Sequence, residues 1–225
     1  MTDLTTQPPS TSVGDYVKAV WEVAGTGGAS TKDVAARLSV SPASVSNMFV
    51  RLQEMGFVEY ERYRGASLTG QGREEALRLV RRHRLIETFL LEHLGYSWLE
   101  VHEEAERLEH AVSDAFTERL AELLGHPERD PHGDLIPAAD GTLAPEEGTV
   151  PLSEVAPGDT VRVARVGHQD AGQLAYLWEH ELVPGRVLNV REVRALDGVV
   201  TVEDEGGYAL ALGGPLAGGI FVRGV

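Results

Sequence analysis

Between residues 12 and 24 the apolar side chains fall at Val13, Val17, Val20, Trp21 and Ala24. Steps of three and four line one face of an α-helix. Gly25 to Gly28 ends that helix. Ser30 and Thr31 can cap a short second helix, Lys32 to Leu38. Ser41 caps a third, with Pro42 at its first position, where a missing N–H costs nothing. That helix runs to Met55 and Gly56 stops it. Phe57 to Glu61 then alternates like a strand, Tyr63-Arg64-Gly65 turns, and Ala66 to Leu68 returns. Three helices followed by a β-hairpin is the layout of a winged helix-turn-helix.

Two longer helical patterns follow. Thr69 caps a run to about Leu94, closed by Gly95, and a second run from Ser97 or Trp98 reaches Leu124, closed by Gly125. Their apolar stripes (Leu77, Val80, Ile86, Phe89 and Leu90, then Leu108, Val112, Phe116, Leu120 and Leu123) suit a dimer interface. Pro127 to Gly148 is rich in Pro, Gly and Asp and reads as loop or linker. From Val150 the period becomes two, with strands expected at Thr160–Val166, Arg186–Val193, Val199–Glu203 and Gly219–Val222, and a small helix at Leu174–Glu181. Short strands with Gly/Pro turns point to a small barrel. The expected fold class is mainly α with β. A polar tail occupies 1–11, the winged helix-turn-helix 12–72, a helical domain with its linker 73–148, and a small β-barrel 149–225.

Charge changes the picture by where it lies. The chain of 225 residues carries a net charge of -15, which as a total argues against nucleic-acid binding. Yet residues 1–72 hold six basic and seven acidic side chains, so almost all of the excess lies beyond them. There is no cysteine, which removes disulfide scaffolds, thiol catalysis, cysteine zinc sites and iron–sulfur clusters. No apolar run approaches the length of a membrane span, and the first eleven residues lack the features of a secretory signal. A cytoplasmic protein without a membrane partner is expected.

Two groups of residues carry candidate chemistry. On the third helix Ala43, Ser44, Ser46, Asn47 and Arg51 fall on the outer side, while Val45, Met48, Phe49 and Leu52 face inward. A recognition helix places its first residues at base edges in the major groove, where Asn can bond adenine and small side chains can touch a thymine methyl. Arg62 and Arg64 of the hairpin, with Lys32 and Arg37, would meet phosphates. The second group is His83 and Glu87, one turn apart, then His102, Glu106, Glu109 and His110 on the next helical run. Repeated i+3 and i+4 spacing on successive helices can build a cation site in a bundle. Carboxylate and imidazole without thiolate suit manganese or ferrous iron, with cobalt, nickel, zinc or cadmium able to substitute. His102-Glu103 is followed by Glu106 rather than His, so the zinc-protease motif is absent.

With these segments in view the chain resembles the diphtheria-toxin-repressor family of metal-dependent transcriptional regulators, in its manganese transport branch. The resemblance is carried by Asp15-Tyr16, by Tyr60-Glu61-Arg62-Tyr63-Arg64-Gly65 with Leu68-Thr69, by Arg82-His83-Arg84-Leu85, and by Val101-His102 through Glu109-His110. It is strong from about Val13 to Pro137. Over Leu152 to Val225 it extends, more weakly, to the SH3-like domain of longer members. The resemblance implies a primary metal site of Asp15, Glu106, Glu109 and His110. In the iron-responsive branch Met and Cys replace the first two, and hard oxygen donors here favour manganese. Lys18 stands where some manganese regulators carry a second acidic ligand, which argues against a binuclear site at that position. The implied ancillary site is His83, Glu87 and His102, completed by Asp170 and Gln173 of the SH3-like domain. Asp130 sits where some relatives place a further primary ligand, but the preferred reading is a loop-capping aspartate.

The function expected is a homodimeric, manganese-dependent repressor of metal-uptake genes that binds a palindromic operator in double-stranded DNA. An ion shared by Asp15 and the later helix would fix the DNA-binding domain against the dimer domain. Alternatives are an iron-responsive member of the same family, or a winged-helix regulator sensing an organic ligand. A metal-dependent hydrolase ranks last, since no nucleophile or general-base motif stands beside the ligands.

Overall fold

The computed structural model describes residues 11–24, 28–146, 148–167 and 171–225. The chain divides into two compact units, one ending at Arg82 and including Pro137–Thr142, the other formed by His83–Ile136 and Leu143–Val225.

The first unit contains α1 (Thr11–Val23), α2 (Thr31–Arg37), α3 (Pro42–Glu54), β1 (Val58–Glu61), β2 (Gly65–Leu68) and the start of α4 (Gly70–Leu94). Its core joins Val13, Val17 and Val20 of α1 to Val34, then Val45, Phe49 and Leu52 of α3, and Val58 and Ala66 of the hairpin. Both predicted serine caps form: Ser30 accepts from the Asp33 amide and Ser41 from the Ser44 amide, each at 3.1 Å. The hairpin pairs Val58 with Leu68 and Glu61 with Gly65. Gly65 is obligatory. Its φ is +97°, and a Cβ there would lie 2.2 Å from the Ala29 carbonyl oxygen. That close approach lets Ala29 and Ala66 exchange two backbone hydrogen bonds, at 2.8 and 2.9 Å, and so ties the hairpin to the segment before α2.

The second unit starts within α4. Thr69 caps that long helix by accepting from the Gly72 amide, and Gly95 closes it with φ +72°. The single helix expected from about residue 97 to Leu124 is two helices, α5 (Val101–Leu108) and α6 (Asp114–Leu123). Ser113 restarts the helix by accepting from the Phe116 amide at 3.2 Å. An unbroken apolar period hid a capping serine. Leu85, Ile86 and Leu90 of α4 pack with Val101, Ala105, Leu120 and Ala121.

The remainder is a six-stranded antiparallel sheet in the order β3-β8-β4-β5-β6-β7. Its strands are β3 (Val150–Pro151), β4 (Thr160–Val166), β5 (Val187–Val193), β6 (Val200–Asp204), β7 (Ala209–Leu212) and β8 (Ile220–Gly224). Two short helices accompany it, α7 (Ala171–Glu179) and α8 (Gly214–Gly218). The alternating pattern predicts four of the strands. It misses β3, which is two residues long, and β7, whose Ala-Leu-Ala-Leu alternation is weak because alanine is neither polar nor bulky. Trp98, just ahead of α5, is buried in the core of this β-domain and stacks on Trp178 of α7 at 5.7 Å. No helix among the described residues is long and apolar enough to cross a membrane.

Candidate metal centre and nucleic-acid interface

The outer side of α3 is as expected. Ala43, Ser44, Asn47 and Arg51 are exposed and Ser46 is half-buried, while Val45, Phe49 and Leu52 are buried beneath them. Lys32, Ser46, Asn47, Arg62 and Arg64 share one cleft of about 610 Å³ between α3 and the hairpin. Val50 also lines it and is half exposed, an apolar position on the outer side that the inside–outside reading of α3 did not single out. At the hairpin tip Tyr63 is 93% exposed and Arg62 lies 5.3 Å over its ring. Arg37 is placed differently from its companions. Its Nε donates to Glu22 of α1 at 2.6 Å, an ion pair that ties α2 to α1.

The histidine–carboxylate group assembles inside the second unit. His83 and Glu87 stand one turn apart on α4, and the face they share meets α5. His83 Nε2 lies 2.9 Å from Glu87 Oε1 and 3.0 Å from His102 Nδ1, and its Nδ1 lies 2.7 Å from Glu109 Oε2. His102 Nδ1 lies 3.0 Å from the same Glu87 oxygen. Glu109, Glu87 and His83 are 0%, 2% and 5% exposed. Glu109 and His110 follow directly on α5, in the break that the single-helix reading did not foresee. Glu106 extends the group, with Oε1 3.9 Å from His102 Nε2, and His110 Nε2 lies 3.4 Å from Glu109 Oε1. His83, His102 and Glu106 offer donor atoms all within 4.8 Å of one another.

A second set, Glu87, Asp130 and His132, has the same compactness and is wholly buried. Asp130 caps its loop as expected: Oδ1 accepts from the amides of His132 and Asp134 at 2.9 and 3.0 Å. Its Oδ2 lies 3.4 Å from Arg84 Nε. Glu87 Oε2 lies 3.8 Å from His132 Nδ1, so Glu87 faces both sets. His132 Nε2 is buried with no hydrogen-bond partner. A buried polar atom left unpaired is costly, and the other ring nitrogen, Nδ1, is the one that faces the Glu87 carboxylate. His132 was not a predicted ligand. The Asp-x-His spacing between Pro127 and Gly133 was the only signal available, and a loop lacks the periodicity that gives spacing its meaning.

The charges of this pocket act on one another. Burial alone would raise the Glu87 carboxyl, but the charge on His83 and the hydrogen bonds of the surrounding histidines hold it well below the usual range. Asp130 moves the other way, to about 7, because of burial and then the charges of Glu87 and Asp134. Burial would lower His132, but Glu87, Asp130 and Asp134 raise it.

Asp15 is half-buried on α1 of the first unit, on the same helix as the buried Lys18. Gln173 is half-buried on α7, and Asp170 lies outside the described residues.

Comparison with known proteins follows the same division. Residues 10–66 match the N-terminal DNA-binding domain of iron-dependent repressors, and 69–138 match their metal-binding and dimerisation domain. The regulator MntR of Lysinibacillus sphaericus is 36% identical over 124 residues, which is 55% of this chain and 88% of that one. The chain belongs to the diphtheria-toxin-repressor family. That family consists of DNA-binding transcriptional regulators, not enzymes. Residues 150–224 match the FeoA domain, so the six-stranded sheet is the SH3-like domain of the longer members. Another family member, the iron-dependent repressor IdeR of Mycobacterium tuberculosis, is 35% identical over 136 residues, 58% of this chain and 59% of that one. Among solved structures, a manganese-dependent transcriptional repressor in complex with manganese superposes with a TM-score of 0.85 and 40% identity, covering 95% of this chain and 100% of that one. The manganese regulator SloR gives 0.82 and 36%, covering 95% and 98%.

Proposed function

We propose that this chain is a homodimeric repressor of metal-uptake genes that binds a two-fold operator in double-stranded DNA when loaded with manganese. The observation that carries this reading is the buried group of His83, Glu87, His102 and Glu109, whose donors are nitrogen and oxygen without sulfur. Such a set suits manganese better than softer metals. The family resemblance assigns Asp15, Glu106, Glu109 and His110 to a primary ion. Asp15 then ties the DNA-binding domain to the metal-binding helices. His83, Glu87 and His102 form the ancillary set, with Asp170 and Gln173 from the SH3-like domain. Glu87, Asp130 and His132 are a further set able to hold an ion, and the burial of all three with donor atoms within 4.8 Å of one another supports that use. A bound cation relieves repulsion between carboxylates held close together.

Phe116 and Leu123 stand two turns apart on α6 and are 46% and 61% exposed, an apolar face suited to a second copy. A dimer presents two copies of α3 to operator half-sites about 34–36 Å apart, or a multiple of that. Ser44, Asn47 and Val50 would meet base edges, and Lys32, Arg62 and Arg64 the phosphates. The regulator acts in the cytoplasm, where its operator lies.

The test is operator binding by fluorescence anisotropy, with manganese and ferrous iron titrated anaerobically and a chelator as control. We expect binding only with metal, and at lower manganese than iron. Equal binding in chelator overturns the metal switch. Activation at lower iron than manganese assigns the chain to the iron-responsive side of the family.

A further inference from the structure

The loop that carries Asp130 and His132 is held from two directions. From the helical side, Arg84 of α4 reaches it with Nε 3.4 Å from Asp130 Oδ2 and Nη2 3.8 Å from Asp134 Oδ1, and its Nη1 donates to the Leu135 carbonyl. Trp98 Nε1 donates to the Pro131 carbonyl at 2.9 Å, and its ring lies 4.6 Å from the His132 imidazole. From the SH3-like domain, the hold is made by three consecutive residues of β4. The Val166 amide donates to the His132 carbonyl at 2.9 Å. Gly133 passes so close that a Cβ would lie 2.2 Å from the Ala164 carbonyl oxygen. Between them Arg165 lies where the pairing of β4 with β8 shifts register. Its guanidinium covers the Phe221 ring at 3.5 Å, its Nε lies 3.0 Å from both carboxylate oxygens of Glu146, and its Nη1 lies 3.6 Å from Asp134 Oδ1.

This arrangement fixes the direction of His132. Its ring orientation is set by a backbone that β4 holds on the carbonyl side and Asp130 holds on the amide side, and its Nδ1 lies 3.8 Å from Glu87 Oε2. We infer that Arg165 is a positioning residue for the Glu87–Asp130–His132 set: through it the SH3-like domain controls how well that set holds a divalent cation, and the cation in turn fastens the SH3-like domain to the helices. The inference rests on the reading of these three residues as ion ligands. Residues that orient ligands commonly change metal affinity by about 10–100-fold. Coupling is reciprocal, so an ion that needs the ordered loop must also stabilise it.

The experiment is a manganese titration of the full chain by isothermal calorimetry, giving the number of ions and the affinity of each, with amide exchange measured over 129–146 and β4. His132→Ala removes a proposed ligand. Arg165→Met keeps the apolar stem over Phe221 and removes the charge, and Arg165→Lys restores the charge without the two-oxygen grip on Glu146. We expect His132→Ala to lose one ion. Arg165→Met should weaken that same ion by about tenfold or more while the other affinities stay at the wild-type value, and Arg165→Lys should recover part of the loss. Manganese should slow exchange of the Val166 amide in the wild type and not in His132→Ala. If Arg165→Met fails to fold, Glu146→Gln weakens the same grip from the loop side and should produce a smaller loss at the same ion. Wild-type affinities in both Arg165→Met and Glu146→Gln, or equal weakening of every ion, overturn the positioning role. Undiminished ion count in His132→Ala overturns the ligand reading itself, and the inference with it.

Discussion

The two units treat charge in opposite ways. In the DNA-binding unit the core joins α1, α3 and the hairpin through apolar side chains, and most charged groups are outside, with Lys18 and Arg82 buried among the described residues. In the second unit His83, Glu87, Glu109, Asp130 and His132 are themselves buried. The first unit's core is apolar, so its exposed polar residues are free to be chosen for what they meet. The second unit carries groups whose removal from water is repaid only by one another or by a cation. Glu87 and Asp130 display both results, one held well below the usual range by its histidines and the other pushed up to about 7 by burial and neighbouring carboxylates. A surface can be matched to DNA without altering the fold, whereas buried ionisable groups are part of the core, so whatever they bind feeds back on stability.

The contrast can be broken most forcefully at the two cores. Phe49 is fully buried, and Phe49→Ala should cost about 3–5 kcal/mol in urea denaturation. Glu109→Ala should cost a comparable amount, about 3–5 kcal/mol, in the presence of chelator, because it leaves His83 without one of its acidic partners. A loss no greater than about 0.5 kcal/mol, the scale of a surface substitution, would show that Glu109 is not part of the core's balance. Next in size is the metal itself. Manganese at a hundredfold excess over its dissociation constant should add about 2.7 kcal/mol to the unfolding free energy, and chelator should remove it. Glu87 faces both donor sets, so Glu87→Ala should shrink that increment, as thermal denaturation with and without manganese would read. A smaller effect belongs to the DNA-binding unit. Ser41→Ala removes the α3 cap and should cost about 1 kcal/mol in the same denaturation assay. Smallest for stability are Arg62→Ala and Arg64→Ala, within about 0.5 kcal/mol by thermal melt. Each should lower the salt slope of operator binding by about one, so a pair of charges that hardly affects the fold is read out in DNA affinity.

The same contrast explains how much could be read in advance. The winged helix-turn-helix was legible because its determinants are local: serines three residues before the amides they cap, a proline at a first turn, a glycine where the left-handed conformation is required. Asn47, Arg62 and Arg64 were legible as outward residues for the same reason. His83 with Glu87, and His102 with Glu106, were legible because a helix converts spacing into adjacency. The break between α5 and α6 was not, since Ser113 lies within an uninterrupted apolar period. Nor was β7, whose alanines give the alternation too little contrast. Arg37 read as a phosphate contact by its charge, and only the packing of α1 beside α2 reveals Glu22 as its partner.

By itself the sequence determined the order of elements, the caps and turns that bound them, the absence of thiolate donors, and the grouping of histidines and carboxylates on successive helices. Tertiary structure alone decided that Glu87 faces two donor sets, that the buried His132 ring joins Glu87 and Asp130, and that β4 holds the loop bearing it. The physical reason is range. Periodicity and capping act over three or four residues, within one element. Burial and charge coupling join Glu87 to His132 and Gly133 to Ala164, pairs related only by how separate elements pack.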